Sequence, residues 1–218
     1  MHRVLLSGTE RIYRVGKILC VTRNYQAHAA ELGNEPPAEP VFFLKPASSI
    51  IGQGETAVIP TVSHDCQHEI ELAVLIGKYG KNIAPETALE HIAGYGIAID
   101  LTLRDLQGDL KAKGLPWSMA KGFDTSCPLS DFIPASQVTD PQALDLSLYV
   151  NDELRQQGNS AEMIHPIPDL ISAASAIFSL EEGDILLTGT PAGVGRLISG
   201  DRLKAEISQL GSLGINIH

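Results

Sequence analysis

Hydrophobic residues along this chain occur in short runs that glycine and proline separate. Short runs rich in valine, isoleucine and leucine are typical of β-strands. Helical patterns are few and do not alternate regularly with the strands. The chain is therefore predicted to adopt a β-rich α+β fold, sandwich-like or rolled, rather than a Rossmann or TIM arrangement. The predicted strands cover residues 17–21, 41–44, 57–59, 70–76, 97–99, 146–150 and 185–187, and the predicted helices cover residues 85–93, 103–113 and 167–178.

A short helix and a proline-rich loop follow the first predicted strand. The helix is predicted over residues 25–32, with Asn24 as its cap and Gly33 at its end. Three prolines follow within residues 34–40, where they remove backbone donors and favour extended backbone. We interpret residues 25–40 as a lid on a single catalytic domain that covers residues 1–218.

Composition and charge narrow the class of protein. The formal net charge of -10 at pH 7 argues against binding to nucleic acid or to anionic membranes, because phosphates require a basic stripe. No segment approaches the roughly 20 apolar residues that span a bilayer. Cys20, Cys66 and Cys127 are widely spaced and lack a C-x-x-C pair. This usage indicates reduced thiols and a cytoplasmic location.

Two glutamates, Glu69 and Glu71, lie in the β-type segment 68–76, and their spacing places both side chains on one face. Asp100 ends another apolar run. Carboxylates that lose hydration together are costly without a cation, and their hard oxygens suit Mg²⁺, Mn²⁺ or Ca²⁺. The alternative is an antiparallel edge strand whose glutamates face solvent. Side chains alternate between the two faces of a strand, and His68 lies an odd number of positions from Glu69 and Glu71. By this parity argument, its side chain is predicted to point away from both glutamates.

His28 and Glu31 lie at positions i and i+3 of the short predicted helix, where their side chains can meet. A carboxylate beside an imidazole orients the ring as a positioned base, whereas a solvated helical pair is the alternative. A glycine-rich loop over residues 188–195 lets a ligand approach backbone amides, unless it is a plain hairpin. Further candidate cations and donors lie next to apolar runs or glycine turns: Lys45, Arg104, Gln107 and Lys121.

Six blocks of the sequence occur in an order that is specific to one family. They are Arg23-Asn24-Tyr25 with His28 and Glu31, Phe43-Leu44-Lys45-Pro46, His68-Glu69-Ile70-Glu71-Leu72, Asp100-Leu101-Thr102 with Arg104-Asp105-Leu106-Gln107, Trp117 to Cys127, and Thr188-Gly189-Thr190-Pro191 with Gly193-Val194-Gly195. In this combination the chain resembles the fumarylacetoacetate hydrolase family, specifically its short single-domain acylpyruvate hydrolase and oxaloacetate decarboxylase-like members. The tail over residues 211–218 is atypical of them.

The resemblance implies a fold, a metal and a set of roles. The fold is the mixed β-sandwich roll of the family's C-terminal domain with a few short helices, usually as a homodimer. The substrate is a small anionic 2-oxo acid. By resemblance, Glu69, Glu71 and Asp100 bind Mg²⁺ or Mn²⁺, His28, Glu31 and Lys121 are catalytic, and Arg104, Gln107, Thr190 and Lys45 bind the substrate, with Lys45 in a supporting position.

The activity implied first is metal-dependent hydrolysis of the carbon–carbon bond of acylpyruvates such as fumarylpyruvate, which gives pyruvate. The second is oxaloacetate decarboxylation or keto–enol tautomerisation, which passes through the same enolate. The third is isomerisation or decarboxylation of homoprotocatechuate-pathway intermediates. A non-catalytic, metal-bound protein that binds 2-oxo acids on the same fold is the rival from another class.

Overall fold

The computed structural model describes residues 2–31, 33, 35 and 37–218. The strands are β1 (Arg3–Leu5), β2 (Ile12–Arg14), β3 (Lys17–Val21), β4 (Phe42–Pro46), β5 (Ile50–Ile51), β6 (Thr56–Ala57), β7 (Cys66–His68), β8 (Ile70–Ile76), β9 (Ile92–Ile99), β10 (Thr102–Leu103), β11 (Cys127–Pro128), β12 (Ile133–Pro134), β13 (Asp145–Val150), β14 (Glu153–Asn159), β15 (Ile185–Leu187), β16 (Gly195–Arg196), β17 (Arg202–Ile207) and β18 (Gly211–Ile217). The α-helices are α1 (Gln26–Glu31), α2 (Arg104–Ala112), α3 (Ser118–Lys121) and α4 (Ile167–Ile177), and 3₁₀-helices cover Ala47–Ser49, Pro85–His91, Ala135–Gln137 and Ser160–Glu162.

A six-stranded mixed sheet, in the order β12-β9-β8-β15-β3-β4, forms the centre of the molecule. Within it, β8 is antiparallel to both of its neighbours, whereas β15 and β3 are parallel. Every residue of β8 is buried. A strand that is covered on both faces reads as a continuous apolar run, which is why the sequence of β8 shows little alternation.

A five-stranded sheet, in the order β14-β13-β17-β18-β6, covers one face of the central sheet. One core cluster joins Leu72 of β8 to Leu148 of β13 and Leu203 of β17. A second cluster, with Ala73 of β8 and Phe132, covers the opposite face of the central sheet. Adjacent residues of β8 therefore serve different cores, as the alternation of side chains along a strand requires. The predicted β-rich sandwich with a few short helices is confirmed.

One of the predicted helices, over residues 85–93, is wrong. This segment was predicted as a helix, but Pro85–His91 forms a 3₁₀-helix and β9 begins at Ile92. Ile92 pairs with Ile76 at the far end of β8, beyond an irregularity in register. The apolar residues after the 3₁₀-helix are therefore used by the central sheet rather than by a longer helix. The other predicted helices correspond to α2 and α4.

The segment predicted as a lid, residues 25–40, is described in part. Leu32, Asn34 and Pro36 lie outside the described residues, and the predicted end of the short helix falls there. The described part of that helix is α1, which carries His28. The lid stays a prediction, as does the single catalytic domain. Among the described residues, every helix falls short of the length and apolar character needed to cross a bilayer.

The three cysteines are buried and unpaired. Burial raises the pKa of Cys66 and of Cys127 to about 12, and burial also raises the pKa of Cys20. With these raised pKa values the thiols are protonated at neutral pH. Because the thiolate is the reactive form, they are expected to be unreactive in the folded protein. We expect a thiol reagent at pH 8 to label none of them in the native protein and all three after unfolding, as counted by mass spectrometry. Rapid labelling of the folded protein would contradict this expectation.

Candidate active site

Three carboxylates from neighbouring chain segments converge at one end of the central sheet. Glu71 belongs to β8, Glu69 lies between β7 and β8, and Asp100 directly follows β9. The pairing of β8 with β9 places Ile70 opposite Ile99, and the Asp100 amide N–H donates to the Glu69 carbonyl oxygen over 2.8 Å. One oxygen from each carboxylate lies within 4.8 Å of the other two. We refer to these three residues as the carboxylate triad.

The alternative of a solvent-facing edge strand is wrong. β8 is an internal strand, and the exposed fractions of Glu69, Glu71 and Asp100 are 4%, 2% and 1%. The predicted single strand is nevertheless interrupted at Glu69, where the chain passes from the small sheet β10-β7-β16 into the central sheet. Both glutamates still line one cavity, as the parity argument predicts.

Two cations that line the cavity, Lys121 and Arg104, contact the triad from that side. The Lys121 ammonium lies 2.8 Å from Glu69 Oε2 and 2.6 Å from Asp100 Oδ2. The Arg104 guanidinium donates to Glu69 Oε1 and, over 2.8 Å, to Gln107 Oε1. Burial alone would raise the pKa of Glu69, but the charges of Lys121 and Arg104 hold that pKa well below its usual range. Glu69 is therefore a carboxylate at neutral pH.

Lys45 lies behind the triad rather than in the cavity that the triad faces. Its ammonium is 2.8 Å from Asp100 Oδ1 and donates over 3.0 Å to the Ser126 carbonyl oxygen. It also donates to the carbonyl oxygens of Leu101 and Lys121. This side chain is 1% exposed and its donors are used by the protein, so the structure leaves it no direct contact with a substrate in the cavity. Its position is the supporting one.

Glu71 makes no ion-pair contact with any of these three cations, and its Oε2 accepts from the Gly189 amide N–H over 2.6 Å. Burial, followed by the charges of Asp100 and Glu69, raises the pKa of Glu71 well above its usual range. Within the described part of the chain, Asp100 Oδ1 accepts no hydrogen bond, since its contact with Lys45 lacks hydrogen-bond geometry. A buried carboxyl without a partner cation and a buried oxygen with spare lone pairs fit a divalent ion with oxygen ligands.

His28 and Glu31 meet on α1, as their i,i+3 spacing predicts. His28 Nδ1 lies 3.3 Å from Glu31 Oε2. The Glu31 carboxylate also accepts from the Gly193 amide N–H over 3.0 Å, which ties α1 to the loop after β15. His28 is only 5% exposed and lines the cavity of the triad. The alternative of a solvated helical pair therefore does not hold for His28.

The cavity in front of the triad combines charged, polar and aromatic side chains. Phe43 and Trp117 form one wall, with ring centroids 6.3 Å apart, and the Lys121 ammonium lies 5.0 Å from the Phe43 centroid. The predicted site residues all converge here, apart from Lys45 behind the triad and Glu31 behind His28. The lining residues are Val21, Thr22, Arg23, His28, Phe43, Glu69, Glu71, Asp100, Arg104, Gln107, Lys111, Trp117, Lys121, Gly189 and Thr190.

His68 points away from the triad, as its parity predicts. Its ring is buried, and Nδ1 lies 3.0 Å from Gln156 Oε1. Burial lowers the pKa of His68, so the ring is neutral at physiological pH. Among the described residues, the group that could hold a metal comprises the triad and does not include this histidine.

Two buried amide side chains hold the loops of the site, and neither was predicted to do so. Asn24 was predicted to cap α1, but its amide nitrogen donates to the carbonyl oxygens of His165 and Thr188, and its Oδ1 accepts from the His165 N–H. The capping prediction is wrong, because Asn24 binds the loop after β15 instead. Gln156 of β14 donates to Thr190 Oγ1 over 2.8 Å. Asn24 lies in a block already singled out, whereas nothing in the polar sequence around Gln156 marks it.

Comparison with known proteins gives relatives along almost the entire chain. The profile of the C-terminal domain of fumarylacetoacetate (FAA) hydrolase matches residues 17–218. An oxaloacetate tautomerase of Escherichia coli is 52% identical over 192 residues, which cover 88% of each protein. A mitochondrial oxaloacetate decarboxylase of Dictyostelium discoideum is 47% identical over 195 residues, which cover 89% of each. The crystal structure of fumarylpyruvate hydrolase from Pseudomonas aeruginosa in complex with Mn²⁺ and pyruvate superposes with a TM-score of 0.95 at 37% identity, covering 99% of this chain and 95% of that one.

Proposed function

Because the chain belongs to the fumarylacetoacetate hydrolase family, whose members named above are enzymes, we propose that it is a metal-dependent enzyme acting on 2-oxo dicarboxylates. The first proposed reaction is hydrolysis of fumarylpyruvate-like acylpyruvates, and the second is tautomerisation or decarboxylation of oxaloacetate. The observation that carries the first is the His28–Glu31 pair, which lies beside the triad and supplies a base for water. The second reaction is favoured by the similarity to the oxaloacetate tautomerase of E. coli, at 52% identity, and to the oxaloacetate decarboxylase of D. discoideum, at 47%.

Glu69, Glu71 and Asp100 are proposed to hold Mg²⁺ or Mn²⁺, since the P. aeruginosa structure contains Mn²⁺ and the triad offers hard oxygen ligands. When bound, the ion supplies Lewis-acid polarisation of the substrate's oxygens. With a divalent ion present, Lys45, Lys121 and Arg104 give the site two more positive charges than the triad has negative ones. This excess matches a dianionic substrate, although the protein as a whole carries a charge of -10.

Lys121 and Arg104 are proposed to bind the substrate's anionic oxygens from one side of the cavity. Gln107 accepts from Arg104 with its carbonyl oxygen, so its amide nitrogen is the group that donates to a ligand. As the carbon–carbon bond breaks, its electron pair becomes the enolate of pyruvate. The buried ammonium of Lys121 offsets that developing charge, because electrostatic interactions are strong where water is excluded.

His28 is proposed to take a proton from water in the hydrolytic reaction. Its Nδ1 faces the Glu31 carboxylate, so Nδ1 carries the hydrogen and Nε2 is the proton acceptor. The activated water adds to the distal carbonyl carbon of the acylpyruvate, the carbon–carbon bond breaks, and the imidazolium returns the proton to the methylene carbon of the pyruvate enolate. Glu31 is held in turn by the Gly193 amide, which fixes the orientation of the ring.

The test measures pyruvate release from fumarylpyruvate, acetylpyruvate and oxaloacetate, together with enol-to-keto conversion of oxaloacetate, for the Mn²⁺-loaded protein. We expect both dicarboxylates to exceed acetylpyruvate in kcat/KM, since only they match the excess charge of the site. His28→Gln should lower hydrolysis by about 10²- to 10⁴-fold, the usual contribution of a general base. Decarboxylation needs no water nucleophile and should fall far less.

The controls separate the enzyme from a binding protein on the same fold. Glu69→Ala should remove every activity, while His28→Gln should keep the metal and bind pyruvate as wild type does. A wild-type protein that binds pyruvate but turns over none of these substrates would sink the proposed function in favour of the binding protein. The homodimer and the cytoplasmic location are retained as proposals, the latter supported by three unpaired cysteines.

A further inference from the structure

Gln156 of β14 has every hydrogen-bonding group of its amide in use inside the protein. Its Oε1 accepts from the Ile70 amide N–H and from His68 Nδ1, each over 3.0 Å. Its Nε2 donates to Thr190 Oγ1 over 2.8 Å and to the Pro191 carbonyl oxygen over 2.9 Å. The side chain is 1% exposed, and through these bonds it links β8, the strand of Glu71, to the loop that carries Thr190.

The orientation of this amide follows from its two backbone partners. The Ile70 N–H can only donate and the Pro191 carbonyl can only accept, so Oε1 and Nε2 of Gln156 cannot be exchanged. The hydrogen of the neutral His68 ring must then lie on Nδ1, because Oε1 has no hydrogen to give. By the same reasoning, Thr190 Oγ1 accepts from Gln156, and the hydroxyl hydrogen of Thr190 remains for another partner.

Thr190 lines the cavity of the triad, and among the described residues no acceptor receives its hydroxyl hydrogen. Resting on the function proposed above, we infer that Gln156 is a positioning residue that fixes the Thr190 hydroxyl as a donor toward an anionic oxygen of the substrate. Gln156 touches neither the substrate nor the triad carboxylates; it acts through Thr190.

Two glycines allow the backbone near Gln156 and Thr190 to come close enough for their hydrogen bond. A Cβ on Gly193, whose φ is +98°, would lie 2.2 Å from the Arg155 carbonyl oxygen, and a Cβ on Gly158 would lie 2.6 Å from Pro191 Cβ. The loop after β15 therefore approaches β14 as closely as glycine permits, on both sides of Gln156. The same loop holds Glu31 through the Gly193 amide, so Gln156 anchors the loop that supports both Thr190 and the His28–Glu31 pair.

The test is a double-mutant cycle on pyruvate affinity of the Mn²⁺-loaded protein, measured by calorimetry. Gln156→Met removes the donor to Thr190 at nearly constant length and should weaken pyruvate binding about tenfold, the cost of one misplaced hydrogen bond to a charged group. In a Thr190→Val background the same change should weaken binding less than about twofold, because the two residues act as one unit. Thr190→Ser, which keeps the hydroxyl, should restore the sensitivity to Gln156→Met.

Gln156→Glu keeps both acceptor contacts and replaces the methionine variant if that protein does not fold. Equal losses in the presence and absence of the Thr190→Val substitution would show a general structural role and overturn the inference. Nitrogen NMR of the His68 ring gives a reading that needs no ligand: an Nε2-protonated neutral ring would also overturn it. If the cycle holds while no substrate is turned over, the proposed function fails and the positioning role stands.

Discussion

Glu71→Gln is expected to stabilise the metal-free protein and to abolish its metal-dependent activity. Burial, and then the charges of Asp100 and Glu69, raises the pKa of Glu71 in the folded state. The stability that the protonated carboxyl contributes is present below its ordinary pKa and is lost as the pH rises through the raised value. Glutamine does not ionise, so its contribution to stability does not fall as the pH rises, and its Oε1 can still accept from the Gly189 N–H. At pH 8 we expect the metal-free variant to melt about 2–8 °C above wild type, from about 1–2 kcal/mol in a chain of this size.

The same substitution removes one of three proposed ligands. Added Mn²⁺ should raise the melting temperature of wild type but not that of Glu71→Gln, which reverses their order. Loss of the several kcal/mol that such an ion supplies corresponds to a fall in kcat/KM of about 10³-fold or more. Melting curves at pH 5 and pH 8, with Mn²⁺ or a chelator, provide the measurement. Equal Mn²⁺ stabilisation of both proteins would exclude Glu71 as a ligand. If the metal-free variant melted below wild type at pH 8, the claim that the ionised Glu71 carboxylate destabilises the metal-free protein would be contradicted.

The parts of the fold that the sequence predicts are those where burial decides the residue type. β3 and β15 match the predicted 17–21 and 185–187 to the residue, because both lie inside the central sheet and, apart from the half-buried Lys17, are apolar. β14 is missed because it is an edge strand of mostly exposed polar residues, held by pairing with β13. β18, in the atypical tail, is likewise formed by its antiparallel pairing with β17. β14 has no apolar run, and in β18 the buried Leu213, Ile215 and Ile217 alternate with glycine and asparagine, so neither strand shows the continuous apolar run on which the prediction rests.

Some features of the candidate site can likewise be predicted from local sequence, whereas others depend on contacts between distant segments. Residue type and spacing made the three carboxylates candidates and left a solvent-facing strand open, the family resemblance implied that they bind a metal, and only the structure shows their burial. Parity alone places His68 outside the cavity, and the structure bears this out. The depth of Lys45 behind Asp100 and the role of Gln156 depend on contacts between segments far apart in sequence. A single sequence carries no record of such contacts, so both were beyond local reasoning.

Lys45→Met is expected to have the largest effect on stability among single changes near the site. The Lys45 ammonium is buried against Asp100 and three backbone carbonyl oxygens, so its removal leaves Asp100 with one of its two cations and several buried acceptors without their donor. Breaking a buried pair by removing one member typically costs about 3–5 kcal/mol. At about 2–4 °C per kcal/mol in a chain of this size, the melting temperature should fall by roughly 6–20 °C.

The matched control is Lys204→Met, which removes an ammonium from an ion pair with Glu206 at the surface, where the two side chains are 57% and 39% exposed. Ion pairs between exposed side chains contribute little to stability, so this variant should melt close to wild type. The comparison also separates two roles for Lys45, since a residue that bound substrate directly would lower substrate affinity without a comparable loss of stability. Normal stability with a raised KM in Lys45→Met would restore the substrate contact that the structure argues against, whereas a large fall in melting temperature would establish Lys45 as the internal counter-charge of Asp100.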